Sequence, residues 1–593
     1  MSKWMVAAKR ADFNEIAKKY NISPVLARII RNRDVVEDND INKFLNGTRA
    51  DMYSPMLLKD MDKTVTILIE QIAEGKHIRI IGDYDIDGIC STYILYRGLT
   101  ECGANVDTAI PHRIHDGYGL NDNLIQEAYD AGTDTILTCD NGIAAYDQIE
   151  FANTLGMTVM ITDHHEVPYE ETNGIRQYRI PRAATVVDPK QEDCKYPFSE
   201  ICGAVVAYKL VLALLAKKNN CIWQEVMESE IGLELLELAA FATIGDVMEL
   251  KDENRIIVKS GLELMRETRN IGLKALMQVT KTDSARIKPY TIGFVLGPCL
   301  NATGRLDTAV KALELFMAET IDEAVMLAGN LKAMNDSRKE LTQQGVDEAI
   351  KQIENRGLNK DRVLVVYLPE VHESLAGIIA GRIREKYCKP TFVLTKADEG
   401  VKGSGRSIEA FHMYDEMTKC KELFTKYGGH KMAAGMSLLE ENVEVLRRTL
   451  NQNCHLTDED FEEKVLIDVP MPMSYASLDF VAELDRLEPF GNGNAKPQFA
   501  QKNVCFVSGR ILGASKNVGK YDVMDEEGRH FEMIYFGDIE GFHAYLTQKY
   551  GAQEVEQLYN GRAKDIVLSV VYYPDRNEFR GNVSLQMVMK YYQ

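Results

Sequence analysis

The run Ile80-Ile81-Gly82-Asp83-Tyr84-Asp85-Ile86-Asp87-Gly88 decides how the rest of the chain is read. Three aspartates stand at alternate positions just after the apolar stretch Ile78–Ile81, and Gly88 opens a segment with helical character. Open parallel sheets form their sites at the carboxyl ends of strands. Alternating carboxylates in such a place repel one another unless a cation holds them. A helix cap at Asp85 or Asp87 is the bland alternative. A calcium loop of EF-hand type fails, because the twelfth position counted from Asp83 is Ile94, where a bidentate glutamate is needed.

Working outward, two more apolar strands run into the same chemistry. Thr135–Cys139 leads into Asp140-Asn141-Gly142, and Thr158–Thr162 into Asp163-His164-His165. A fourth candidate is Ile244-Gly245-Asp246, after the apolar helix around Leu235–Phe241. Asp140 alone reads equally well as a turn residue and Asp246 as a helix terminus, whereas two adjacent histidines after a strand bring no packing benefit. Together Asp83, Asp85, Asp140, His164 and Asp246 make a mixed carboxylate and imidazole set. Such a set suits Mn²⁺, with Mg²⁺ as a substitute, better than Ca²⁺. Two ions about 3.5–4 Å apart can activate water and clamp both oxygens of an in-line displacement at phosphorus. Adjacent histidines need not face the same way, so His164 is assigned to the metal. His165 goes to a supporting or phosphate contact and is grouped with Asp87 as catalytic, the order of the two histidines staying open.

The wider pattern is α/β and multidomain. Residues 1–60 read as a helical segment. From 61 to 308, short β-rich runs, Thr185–Val187 among them, alternate with helical stretches, as in a parallel sheet covered on both faces. A connecting helix is expected over 309–358, with Leu327, Leu331, Met334 and Leu341 at helical spacing and Arg338 on the same stripe. A second α/β domain covers 359–460, from the strand Val363–Leu368 through Thr391–Thr395 to Gly428-Gly429-His430. In 461–593, Phe531/Met533/Tyr535 and Val583/Leu585/Met587 alternate with polar residues around a helical insertion at about 538–560, which suits a small β-barrel of OB type.

Composition bounds the partners. A net charge of −20 works against a polyanionic substrate, so a nucleic-acid site would have to concentrate positive charge in a cleft. Eleven cysteines, an odd number without a C-x-x-C pair, point to a reducing cytoplasm rather than a disulfide framework. No membrane span and no signal peptide is expected.

With these residues in place, the chain resembles the DHH phosphoesterase family, named for the motif found here as Asp163-His164-His165. The likeness runs through Leu296-Gly297-Pro298, Asn301-Ala302-Thr303-Gly304-Arg305, Lys402-Gly403-Ser404-Gly405-Arg406-Ser407 and Gly428-Gly429-His430 to Leu487-Glu488-Pro489-Phe490-Gly491-Asn492. Their order is that of the family's single-strand exonuclease branch. The resemblance implies a parallel-sheet DHH domain and a DHHA1 α/β domain joined by a long helix, with a C-terminal OB barrel. It also implies an enzyme that digests single-stranded DNA from the 5′ end to mononucleotides in repair and recombination, using two Mn²⁺ ions. It places Arg113, Asn301, Arg305, Ser404, Arg406, Gly429 and His430 near substrate phosphates. A monomer is implied, with room for a helicase and a single-strand-binding protein as partners.

Ile86 and Gly245 stand where the family often has Ala, and the segment around His372 departs from its pattern, which puts the second lobe's grip in question. Two other readings compete: a DHH enzyme for a small substrate such as a cyclic dinucleotide, and a non-catalytic scaffold. The first usually lacks the OB domain and N-terminal helices, and the second loses metal ligands. Tyr572 and Tyr573 are candidate base-stacking residues, though aromatics on such strands are as often core.

Overall fold

The β-branched runs form a five-stranded sheet in the order Asn105–Ala109, His77–Ile81, Thr135–Cys139, Thr158–Thr162, Thr185–Val187. Every neighbouring pair is parallel. The computed structural model describes residues 2–113, 116–117, 119–172, 175–397, 400–513, 516–563 and 565–593. The central strand, Thr135–Cys139, is buried along its whole length, as expected where helices cover both faces. Ile78, Ile80, Leu137 and Cys139 point into one core with the helices Ile86–Glu101 and Gly203–Asn219. Ile81, Ile136, Val159 and Ile161 point into the opposite core, under Asp122–Asp130 and Tyr146–Thr154. Registers such as Ile81 beside Thr138 and Thr162 beside Val187 keep the carboxyl ends of the strands level, so the residues that follow share one edge.

The stretch expected as one helix over 309–358 is two, Val310–Met317 and the 35-residue Ile321–Asn355. Thr320 caps the second by accepting a hydrogen bond from the Glu323 N–H. Its buried stripe runs Ala324, Ala328, Leu331, then Val346, Ala349 and Ile353. The first three belong to the core of the parallel-sheet lobe and the last three to that of the next lobe, so one rigid rod serves both. Leu341 lies off this stripe and is exposed, contrary to the helical spacing read for it.

The second lobe has a five-stranded sheet in the order Phe424–Gly429, Ala433–Leu438, Val401–Arg406, Thr391–Lys396, Leu364–Tyr367. Only the last pair is parallel. The glycine-rich segments around Gly403 and Gly428 are strands themselves. Gly403 pairs with both Leu394 and Met436, and Gly428 pairs with Gly435.

Thr48–Glu462 form one compact unit, and residues 1–47 join 463–593 in another. The N-terminal part therefore belongs largely with the C-terminal unit rather than standing as a helical segment to residue 60. It also opens on a strand, Lys3–Val6, paired parallel to Lys464–Ile467. Arg33 holds Asp468 through both guanidinium nitrogens, at 2.6 and 3.2 Å. In this unit Phe499–Leu512, Val518–Met524, His530–Tyr535, Asn582–Tyr592 and Val567–Phe579 close into a five-stranded barrel, the last strand pairing back with the first. That closure is the OB architecture. Tyr572 and Tyr573 are buried in its core, and the Tyr572 hydroxyl donates to the Met471 carbonyl, so neither is placed to stack on a base.

Candidate metal centre and phosphate cleft

Four of the five parallel strands release an aspartate at the same edge: Asp83, Asp140, Asp163 and Asp188, all buried. The chain turns sharply after the first. A Cβ on Gly88 would stand about 2.4 Å from the Asp83 carbonyl oxygen, so only glycine lets the helix Ile86–Glu101 begin there. Asp85 caps that helix, accepting from the Asp87 and Gly88 N–H groups at 3.0 and 3.1 Å. The cap and the metal reading are thus compatible, since one oxygen does the capping. The Asn301 side-chain oxygen accepts from the Ile86 N–H at 3.1 Å and braces the same turn.

Asp140 sits at φ 60°, a left-handed conformation that turns its carboxylate back over the sheet edge. His164 Nε2 lies 3.1 Å from Asp140 Oδ1, 3.5 Å from Asp87 Oδ2 and 3.9 Å from Asp246 Oδ2. Asp246 ends the helix Glu230–Gly245, where the dipole also favours a cation. Three groups have donor atoms close enough to share an ion: Asp83 with Asp85 and Asp140, Asp87 with His164 and Asp246, and Asp140 with His164 and His165. Asp140 and His164 each belong to two of them. All five residues read as metal ligands from the sequence are therefore brought together.

Asp87, read as catalytic, has its carboxylate engaged elsewhere. It accepts from the Gly203 and Ala204 N–H groups at 2.6 and 2.8 Å, at the start of the helix Gly203–Asn219. It docks that helix against the site while staying beside His164. His165 faces outward with its Nδ1 2.7 Å from Asp163 Oδ1. Asp163 also accepts from the backbone N–H groups of Ile143, His164 and His165, so it holds the histidine pair rather than reaching for a cation.

The electrostatics call for a positive occupant. Burial, then the charge of Asp85, pushes the Asp83 carboxyl up to about 8. Burial, then Asp87 and Asp85, does the same to Asp246, also to about 8. Asp140 is driven well above the usual range by burial and then by Asp87 and Asp85. Asp83 Oδ2 and His164 Nδ1 are buried and have no hydrogen-bond partner among the described residues. Burial holds His164 below its ordinary value, which keeps a lone pair available for a ligand bond. His165 goes the other way: burial opposes its charge, but the Asp163 hydrogen bond prevails and raises it to about 9. Carboxylates and a neutral imidazole crowded around unpartnered atoms fit a hard-to-borderline divalent cation.

A cleft of about 500 Å³ opens beside this edge, lined by Tyr84, Arg113, Ser374, Lys402, Ser404 and Tyr427 among others. The Arg113 guanidinium lies over the Tyr84 ring, 4.9 Å from its centroid. Arg305 donates to the Ser374 carbonyl at 2.7 Å, tying the two lobes across the cleft. Burial, then the positive charges of Arg113 and Arg338, pulls Arg305 down to about 10. Burial, then Arg384 and Arg113, lowers Arg406 as well. The positive charge that an acidic chain must concentrate is here. Arg113, Asn301, Arg305, Ser404 and Arg406 thus gather around one cleft and the turn beside it. Gly429 and His430 lie on the exposed hairpin next to Gly428, outside that lining.

The sequence reading passed over Asp188, although it follows the predicted strand Thr185–Val187 just as Asp140 follows its own. Burial, then Asp163, pushes it to about 7. Asn141 was also missed as a brace: its amide donates to the Ile81 and Cys139 carbonyls and ties two strand ends together.

Family models match in three places. The DHH family N-terminal domain covers residues 77–243, the DHHA1 domain 360–456 and the RecJ OB domain 467–591. The single-stranded-DNA-specific exonuclease RecJ of Escherichia coli (strain K12) is 30% identical over 99% of this chain and 99% of its own. The chain belongs to the DHH family, in its RecJ branch. The RecJ of Bacillus subtilis (strain 168) is 35% identical over 87% of this chain, which spans 63% of that longer relative. Among solved structures, the RecJ of Thermus thermophilus in complex with Mn²⁺ superposes with a TM-score of 0.80 at 25% identity, covering 100% of this chain and 79% of that one. An exonuclease RecJ bound to manganese gives 0.57 at 30% identity, over 69% of this chain and 97% of that one. Among the described residues no helix is long and apolar enough to cross a membrane.

Proposed function

We propose that this chain is a metal-dependent 5′-to-3′ exonuclease that hydrolyses single-stranded DNA to mononucleotides. The observation that carries the reading is the set of three overlapping ligand groups at one sheet edge, linked to one another through Asp140 and His164. Asp83, Asp85, Asp140, His164 and Asp246 would hold two divalent ions. Mn²⁺ or Mg²⁺, when bound there, supplies Lewis acidity for displacement at phosphorus.

The chain's own residues do the rest. Asp163 holds His165 Nδ1, so a protonated His165 presents Nε2–H to a phosphate oxygen near the carboxylates. Arg113, Arg305 and Arg406, with the Ser404 hydroxyl, grip the phosphates of the strand, and planar guanidinium forks suit that task. Asn301 and Asp87 keep the aspartate turn in place through their backbone hydrogen bonds. Gly429 and His430 would meet the strand at the rim. Action in the cytoplasm, as a monomer and alongside a helicase and a single-strand-binding protein, belongs to the same reading.

The test is to incubate the protein and its Asp140→Ala variant with Mn²⁺ and a 3′-labelled single strand carrying a 5′ phosphate. A blunt duplex and a linear dinucleotide run alongside. Progressive shortening of the single strand by the unaltered chain only, with the duplex spared, is expected. Cleavage of the dinucleotide alone would move the chain to a small-substrate enzyme.

A further inference from the structure

Two of the most exposed large apolar side chains in the parallel-sheet lobe are Tyr290 and Phe294, at 68% and 66%. Their rings stack on each other, with centroids 4.8 Å apart and planes 23° from parallel. They stand at the start of the helical segment that continues through Gly297–Leu306, which carries Asn301 and Arg305. The stretch Ile292–Leu296, which contains Phe294, is a π-helical turn, a local widening found frequently at functional sites. A third apolar side chain, Val247, is 65% exposed and directly follows Asp246.

The packing brings this patch to the metal centre. The Cβ position of Gly293 faces Ile244 at 3.9 Å, two residues before Asp246. The Cβ position of Gly297 faces Ile86 of the aspartate turn at 2.9 Å. Phe294 precedes Asn301 by seven positions, roughly 10 Å along a helix. Single exposed apolar residues are common and need no explanation, but two stacked rings beside a buried charged centre form a patch. Two exposed basic residues, Arg286 and Lys288, lie four and two positions before Tyr290, the first of them paired with Asp283 at 3.7 Å.

We infer that Tyr290 and Phe294 form a stacking platform for a base of the single strand whose phosphates enter the site, an inference that rests on the proposed function. Every base offers a π-face, so such a platform grips a strand without reading its sequence. It also discriminates against duplex, whose bases are already stacked and paired.

The experiment measures binding, with hydrolysis blocked by Asp140→Ala, of a fluorescent single-stranded oligonucleotide and of its abasic analogue. Adding Tyr290→Ala and Phe294→Ala should weaken binding of the normal strand about tenfold, in line with the loss of one base–aromatic stack. The abasic strand should bind both forms equally. A 2-aminopurine base moved stepwise along the strand gives a readout without altering the rings, and one position is expected to be strongly quenched. Unchanged affinity, an equal loss for normal and abasic strands, or no quenched position would each overturn the inference. Because cleavage is not read, a chain that binds single strands without cutting them would sink the proposed function and leave this inference standing.

Discussion

The carboxyl edge of the parallel sheet and the cleft beside it are built on the same principle with opposite sign. At the edge, burial pushes Asp83 and Asp246 up to about 8. In the cleft, burial and neighbouring guanidiniums pull Arg305 down to about 10. Each region holds like charges together, and neither supplies the other's counterion through a direct ion pair among the described residues. A cluster that neutralised itself would be more stable and would bind nothing. Keeping the two apart leaves one region matched to cations and the other to phosphates, which places a phosphodiester between them.

The largest expected effect comes from the edge. Asp140→Ala removes the carboxylate common to two of the ligand groups, and hydrolysis of single-stranded DNA should fall to background while circular dichroism stays native. Surviving activity would break the metal half of the comparison. Next is Asp163→Asn, which leaves the ligands untouched but takes away the negative charge facing His165 Nδ1. Its activity should drop about tenfold to a hundredfold, as for other supporting residues of metal sites. The His165 value, read by NMR titration, should move from about 9 toward about 6.5.

The cleft gives a smaller and different signature. Arg406→Ala should weaken strand binding and lower the slope of log affinity against log salt by about 0.7, the value of one phosphate contact on a single strand. An unchanged slope would show that Arg406 meets no phosphate. The smallest effect is on stability. A carboxyl whose folded value lies above the unfolded one, near 3.9, contributes stability below that value and loses it as the pH rises through the folded value. With Asp83 and Asp246 at about 8, the metal-free chain should lose a few degrees of Tm between about pH 5 and pH 8.5. Scanning calorimetry in EDTA and in Mn²⁺ should show the metal adding most at the upper end.

Much of this was legible because it is local. A β-branched run followed by an aspartate is visible without tertiary knowledge, and the parallel registers then bring Asp83, Asp140 and Asp163 to one edge. What stayed hidden depends on distant partners. Asp87 looks like a catalytic carboxylate until the Gly203–Asn219 helix begins on it, more than a hundred residues further along. Glycine-rich stretches look like turns, yet Gly403 and Gly428 lie within strands: a Cβ at Gly403 would run into Leu394 and Met436, whereas the space beside Gly428 is open. Tyr572 and Tyr573 read equally well as stacking residues or as core, and only the closed barrel shows that both are buried. Leu341 fits a helical period but falls off the stripe that the two cores define.

The most direct test of the central claim is Mn²⁺ binding by isothermal titration calorimetry, on the intact chain and on Asp140→Ala. Roughly two ions per chain for the intact protein are expected, and Asp140→Ala should lose at least one of them. No binding by the intact chain, or unchanged stoichiometry and affinity in the variant, would contradict the account of the sheet edge as a metal centre.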